Sequence, residues 1–124
     1  MERRGEIAAA IRLAQQARQL AQAQADAESE ATALNVLTYA HIRLGHYDQA
    51  EQFSHLALSL AGEESQARAD ALLNLGICAG ETNNLDVLEE FTRQAADLSR
   101  QIGYDRALVR SLHLSLIHIS EPTR

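Results

Sequence analysis

Proline is almost missing from this chain: the single one, Pro122, stands near the last residue. Nothing before it would break a helix, β-branched residues are few, and alanine, the strongest helix former, recurs in runs such as Ala8-Ala9-Ala10. An all-helical chain is expected. Tryptophan is absent and aromatic residues make up only 4%, so the core must come from Leu, Ile and Ala. A lone cysteine, Cys78, rules out an internal disulfide and fits a reducing cytoplasm. No apolar run approaches the roughly 20 residues a membrane span needs, and Met1 to Glu6 leads into polar helix rather than a secretory apolar segment. The net charge of −6 argues against a nucleic-acid backbone as partner. At 124 residues the chain is at most one small domain.

What is present is a repeat. Shifting the sequence by 38 places Gly45-His46-Tyr47-Asp48-Gln49-Ala50 on Asn83-Asn84-Leu85-Asp86-Val87-Leu88. The stripe Tyr47, Ala50, Phe53, Ala57, Leu60 falls on Leu85, Leu88, Phe91, Ala95, Leu98. A backward shift of 40 finds a third stripe, Ile7, Ala10, Leu13, Ala17, Leu20. All three share steps of 3, 3, 4 and 3, the spacing of one buried helical face. Two are preceded by another helix with its own stripe, Leu34, Leu37, Leu44 and then Leu72, Leu75, Ala79. The predicted unit is a helical hairpin, with helices over 6–24, 29–44, 47–61, 65–81, 85–101 and from 105 onward. Gly45 separates paired helices, Asn84 is a predicted N-cap, and Gly62 and Gly103 are predicted left-handed C-terminal residues.

Ala33-Leu34-Asn35-Val36-Leu37-Thr38, Arg43-Leu44-Gly45-His46-Tyr47-Asp48-Gln49-Ala50 and Ala57-Leu58 together resemble a tetratricopeptide repeat. Ala71-Leu72-Leu73-Asn74-Leu75-Gly76 with Ala95 resembles it again. The departures are His41 and Ala79 where the family favours an aromatic, no closing proline, and a period above the usual 34 or so. That is similar to the longer variant in bacterial signalling and regulatory proteins. The resemblance implies an α-α-hairpin solenoid wound as a right-handed superhelix. It divides the chain into a half repeat (1–24), repeats over 29–62 and 65–102, and the start of another over 104–113.

Both ends read as cut. Arg3-Arg4-Gly5-Glu6-Ile7 aligns with Arg43-Leu44-Gly45-His46-Tyr47, so the partner helix before Gly5 is missing from the first copy. Leu114 to Arg124 breaks the composition, and its eleven residues match a translated transposon-end adapter from sequencing-library preparation. Residues 114–124 are therefore set aside as a non-native tail.

The titratable residues suggest no chemistry. His41, His46 and His55 lie 5 and 9 residues apart, away from the spacing that puts two ligands on one helix face. His118 belongs to the tail, and no metal or other cofactor is expected. Cys78 sits among Leu75, Gly76 and Ala79 and reads as a buried inert thiol. Glu28-Ser29-Glu30 and Glu63-Glu64 read as solvated helix starts. Without a convergent titratable set, an enzyme is not expected.

Surface recognition is left. The resemblance implies that the first helices of successive hairpins line a groove, here Thr32, Asn35, Tyr39, Ile42, Arg43, Asp70, Asn74, Ile77 and Glu81. Asn amides there would hold an extended peptide backbone and Tyr39 would give a flat amphipathic contact; the competing account makes these ordinary exposed positions. The family's twin-lysine carboxylate grip is not visible, Arg43 being the one cation in the stripe. The expected function is a protein- or peptide-binding scaffold, part of a larger protein, with no nucleic-acid or membrane partner and with self-association through uncapped ends. The alternative is a sensor or regulatory region gating an output domain.

Overall fold

A computed structural model describes residues 3–119. They form six helices: α1 (Arg3–Ala23), α2 (Ala27–Arg43), α3 (Tyr47–Leu60), α4 (Gln66–Glu81), α5 (Leu85–Ile102) and α6 (Asp105–Ile119). No strand occurs among the described residues. Each helix packs on the next, and α2, α4 and α6 also stack on one another. This is an array of helical hairpins, α2–α3 and α4–α5 among them.

Four of the five turns close in one way. Ala25, Gly45, Asn83 and Gly103 each take a positive φ, between 54° and 81°. In each, the following residue's amide donates to a carbonyl in the preceding helix's last turn, as His46 N does to His41 O (2.9 Å) and Asn84 N to Ala79 O (2.8 Å). These bonds satisfy carbonyls that the helix end leaves open. Gly62 departs from the expected pattern: it has no positive φ, and the chain leaves α3 through an extended Ala61. At Ala25 and Asn83 the left-handed residue is not glycine, so neither was evident from sequence. Side-chain caps start α2, α4 and α5: Asp26 accepts from Ser29 N, Ser65 from Arg68 N, and Asn84 from Val87 N. Asp26 lies upstream of the predicted start at 29, and its carboxyl is held below the usual range by the Ser29 hydroxyl and amide bonds.

Alanine lets the helices come close. Ala31, Ala50, Ala57, Ala69, Ala71 and Ala95 are fully buried, and Leu34, Leu37, Leu73 and Leu75 fill the spaces between them. Gly76 marks a close approach, since a Cβ there would stand 3.0 Å from Thr92 Cγ2 of α5. Buried hydroxyls bond to helix carbonyls: Thr38 to Leu34 O, Thr92 to Leu88 O and Ser111 to Ala107 O within their own helices, and Ser54 to Ala71 O across α3 and α4.

The stripe expected to be buried on α1 is not. Leu13 and Leu20 are 65% and 63% exposed, while Ala14 and Ala21 are buried instead. Ala14 belongs with Ala31 and Leu34 in the core, so α2 covers the neighbouring face of α1. No helix lies on the Leu13–Leu20 stripe among the described residues. At the other end α6 runs through Ile119, with Leu114 and Ser115 half-buried. Ser120–Arg124, including Pro122, lie outside the described residues.

Candidate functional site

A cleft of about 420 Å³ opens where α2, α4 and α6 stack beside the start of α1. The helical period puts Thr32, Asn35, Val36, Tyr39 and Arg43 along one face of α2, and Asp70 and Asn74 along the matching face of α4. Arg106 and Arg110 reach in from α6, and Glu6, Ile7 and Ala10 from α1.

Two asparagines form its inner wall. Asn35 Nδ2 donates to Ala67 O at 3.0 Å, tying α2 to α4. Its Oδ1 is buried without a partner, an arrangement that costs about 1–3 kcal/mol unless something donates to it. Asn74 is 5% exposed. Tyr39 stands further out, with the guanidinium groups of Arg43 and Arg110 each 5.9 Å from its ring centroid. Contacts of this kind hold a cation over the ring's negative face. Neither arginine forms an ion pair among the described residues.

Asp70 is differently placed. Its carboxylate accepts from the Tyr104 hydroxyl at 2.9 and 3.1 Å, and Arg106 donates to the same hydroxyl at 3.2 Å. Burial raises the Asp70 pKa above the ordinary value, opposed by the Tyr104 bond and by Arg106 and Arg110. Asp70 thus supports the cleft through Tyr104, leaving Arg43 and Arg110 as its uncommitted cations.

Of the nine predicted groove residues, the structure brings together Thr32, Asn35, Tyr39, Arg43, Asp70 and Asn74. The other three lie elsewhere. Ile42 is buried against Ala50 and Cys78, Ile77 packs into the core beside it, and Glu81 accepts from Tyr47 Oη at 3.3 Å outside the cleft. Ile42 is one residue before Arg43 and so about 100° round α2 from it, whereas Ile77 and Glu81, further along α4 than Asn74, lie towards α3. Asn35 and Asn74 are also buried rather than exposed. Arg106 and Arg110 were not among the predicted residues, because they lie on α6, beyond the two helices whose repeat pattern marks the groove face.

The other candidates take simpler places. His41 and His46, too far apart to share a helix face, are brought together by the α2–α3 turn, with their Nδ1 atoms 3.3 Å apart. His41 also lies against Phe53, its ring centroid 5.4 Å away, and burial with the nearby His46 lowers its pKa. Burial pushes the Cys78 thiol up to about 11, with Glu51 and Glu81 adding to the shift. Glu28 and Glu30 are more than solvated helix starts: Glu28 accepts from Gly62 N at 3.1 Å, and Glu30 pairs with Arg18 at 3.3 Å. No group of three His, Cys, Asp or Glu able to hold a metal ion occurs among the described residues, and no helix there is long and apolar enough to cross a membrane. Compared with family models, with curated proteins and with solved structures, the chain finds no match.

Proposed function

We propose that this chain is a peptide-binding repeat scaffold of tetratricopeptide type, and that the α2–α4–α6 cleft is its recognition surface. The observation that carries the reading is the buried, unpartnered Asn35 Oδ1 on the cleft wall, with Asn74 beside it. An extended peptide supplies what this wall lacks: once the Asn35 side chain turns slightly outward, the peptide N–H donates to its Oδ1, and the peptide C=O accepts from Asn74. Arg43 and Arg110 then take an acidic side chain or terminus against the Tyr39 ring. The tetratricopeptide assignment itself rests on the repeated sequence pattern and on the close alanine contacts between hairpins.

The test is selection followed by calorimetry. A random peptide library panned against the chain should yield binders enriched in acidic residues. Asn35→Ala and Arg110→Ala should each weaken the best binder roughly 5- to 30-fold, the loss of a hydrogen bond of about 1–2 kcal/mol, with helicity unchanged. Binding that is indifferent to both substitutions refutes the assignment. A second reading is favoured by the cleft's volume, which falls within the range of about 300–1,000 Å³ typical of small-molecule sites. On that reading the cleft is the sensor of a bacterial-type regulatory protein and gates an output domain. A metabolite that raises the melting temperature, in a chain that selects no peptide, would decide for it.

A further inference from the structure

Within the array, α2 rests in a seat built by α3 and α4. Ala31, Leu34 and Leu37 of α2 pack with Ala57 and Phe53 of α3 and with Ala67 and Ala71 of α4. Moved back by the repeat shifts of 40 for α3 and 38 for α4, that seat becomes Leu13 and Ala17 of α1 with Ser29 and Ala33 of α2. These residues, with Ala10 and Val36, line an apolar groove between α1 and α2. The groove therefore repeats the side-chain pattern of a surface that already holds a helix elsewhere in the same molecule. Leu13 is exposed in it, and Leu20 is exposed seven residues further along α1.

The matching helix face is on α6. A shift of 40 from α4 puts Ala107 on Ala67 and Ser111 on Ala71, and all four are buried against the preceding hairpin. The same register puts Val109 on Ala69 and Leu112 on Leu72. Ala69 and Leu72, and their counterparts Ala31 and Leu34, are buried, in clusters that include the helix following each of them: Ala95 and Leu98 of α5, and Ala57 of α3. Val109 and Leu112 are 64% and 48% exposed. So α6 presents the residues that such a seat covers, and the α1–α2 groove presents the seat. They lie at opposite ends of the array, where they do not meet within one molecule.

We infer that a second copy of the chain joins them, with α6 of one copy resting in the α1–α2 groove of the next. The contact is heterologous, so each copy that joins leaves one groove and one α6 face free and assembly continues head to tail. Two small apolar patches give a weak interface, which shows as a dependence on concentration.

Sedimentation velocity of the full chain and two variants tests this. The wild-type mass should rise from that of one 13.6 kDa chain at low concentration to that of two or more at high concentration. Leu13→Glu blocks the groove and Leu112→Glu blocks the α6 face, so each variant alone should stay monomeric. Their equimolar mixture should double in mass and stop there, because Leu13→Glu keeps a working α6 and Leu112→Glu keeps a working groove. Circular dichroism checks that both are folded; if either is not, Leu20→Glu and Val109→Glu replace them. A wild type that stays monomeric, a single variant that self-associates like wild type, or a mixture that stays monomeric would each overturn the inference.

Discussion

Gly76→Ala sets two opposing effects against each other where α4 closely approaches α5. Alanine in place of glycine within a helix normally gains about 1 kcal/mol from backbone entropy. Here the new Cβ would stand 3.0 Å from Thr92 Cγ2 and 3.7 Å from Phe91 Cβ, so a neighbour must yield. Thr92 is buried and held: its Oγ1 donates to Leu88 O at 2.8 Å and lies 3.1 Å from Glu89 O. Rotating the methyl away breaks those bonds, so α4 and α5 must separate instead. Overpacking of this kind costs about 1–3 kcal/mol. The sum is a net loss of about 1 kcal/mol, or roughly 4 °C in melting temperature for a domain of this size. Thr92→Ser removes the methyl and keeps the hydroxyl, so in that background Gly76→Ala should become neutral or stabilising. Urea denaturation of the four proteins closes the double-mutant cycle. If Gly76→Ala alone stabilises by the full helix-propensity gain, the close approach of α4 and α5 is wrong.

Three other outcomes follow from the packing and the turns. Leu75→Ala should cost about 2–5 kcal/mol by thermal or urea unfolding, because the side chain is buried and its site is walled by rigid helices. Ala25→Gly should stabilise by about 0.5–1 kcal/mol, since Ala25 holds a left-handed φ of 54° that glycine adopts without strain. Burial, and then the nearby His46, lower the folded pKa of His41 below the ordinary 6.5. Its contribution is therefore complete above that pH and is lost as pH falls through the lowered folded value. Urea midpoints measured on either side of pH 6.5 should show the loss, and His41→Phe should reduce it.

The hairpin array was legible because its signals are periodic. Stripes at 3, 3, 4 and 3, with Gly45 and Asn84 between them, place the ends of α3, α4 and α5 within a residue or so of where they fall. Ala50 and Ala57 could be read as buried because they fall on the repeated stripe. Single-residue conformations were less legible. Ala25 turns left-handed because the next helix packs back at once, and nothing in an alanine announces that. The α1 stripe has the right spacing, yet spacing shows only which residues share a face and not which face a neighbour covers. The cleft was half legible: α2 and α4 follow from the repeat, whereas Arg110 enters through the stacking of α6, where the repeat pattern weakens. The His41–His46 contact forms across a turn, beyond the reach of any single-helix spacing.

The measurement that bears most directly on the recognition cleft is an NMR titration of the isotopically labelled chain with a selected peptide. Shifts should concentrate at Asn35, Tyr39 and Arg43 of α2, Asn74 of α4 and Arg110 of α6. The side-chain amide of Asn35 should move most, as its carbonyl gains a donor, and α3 and α5 should stay quiet on their outer faces. Saturable shifts confined to α3 and α5, with Asn35 and Asn74 unmoved, would contradict the account.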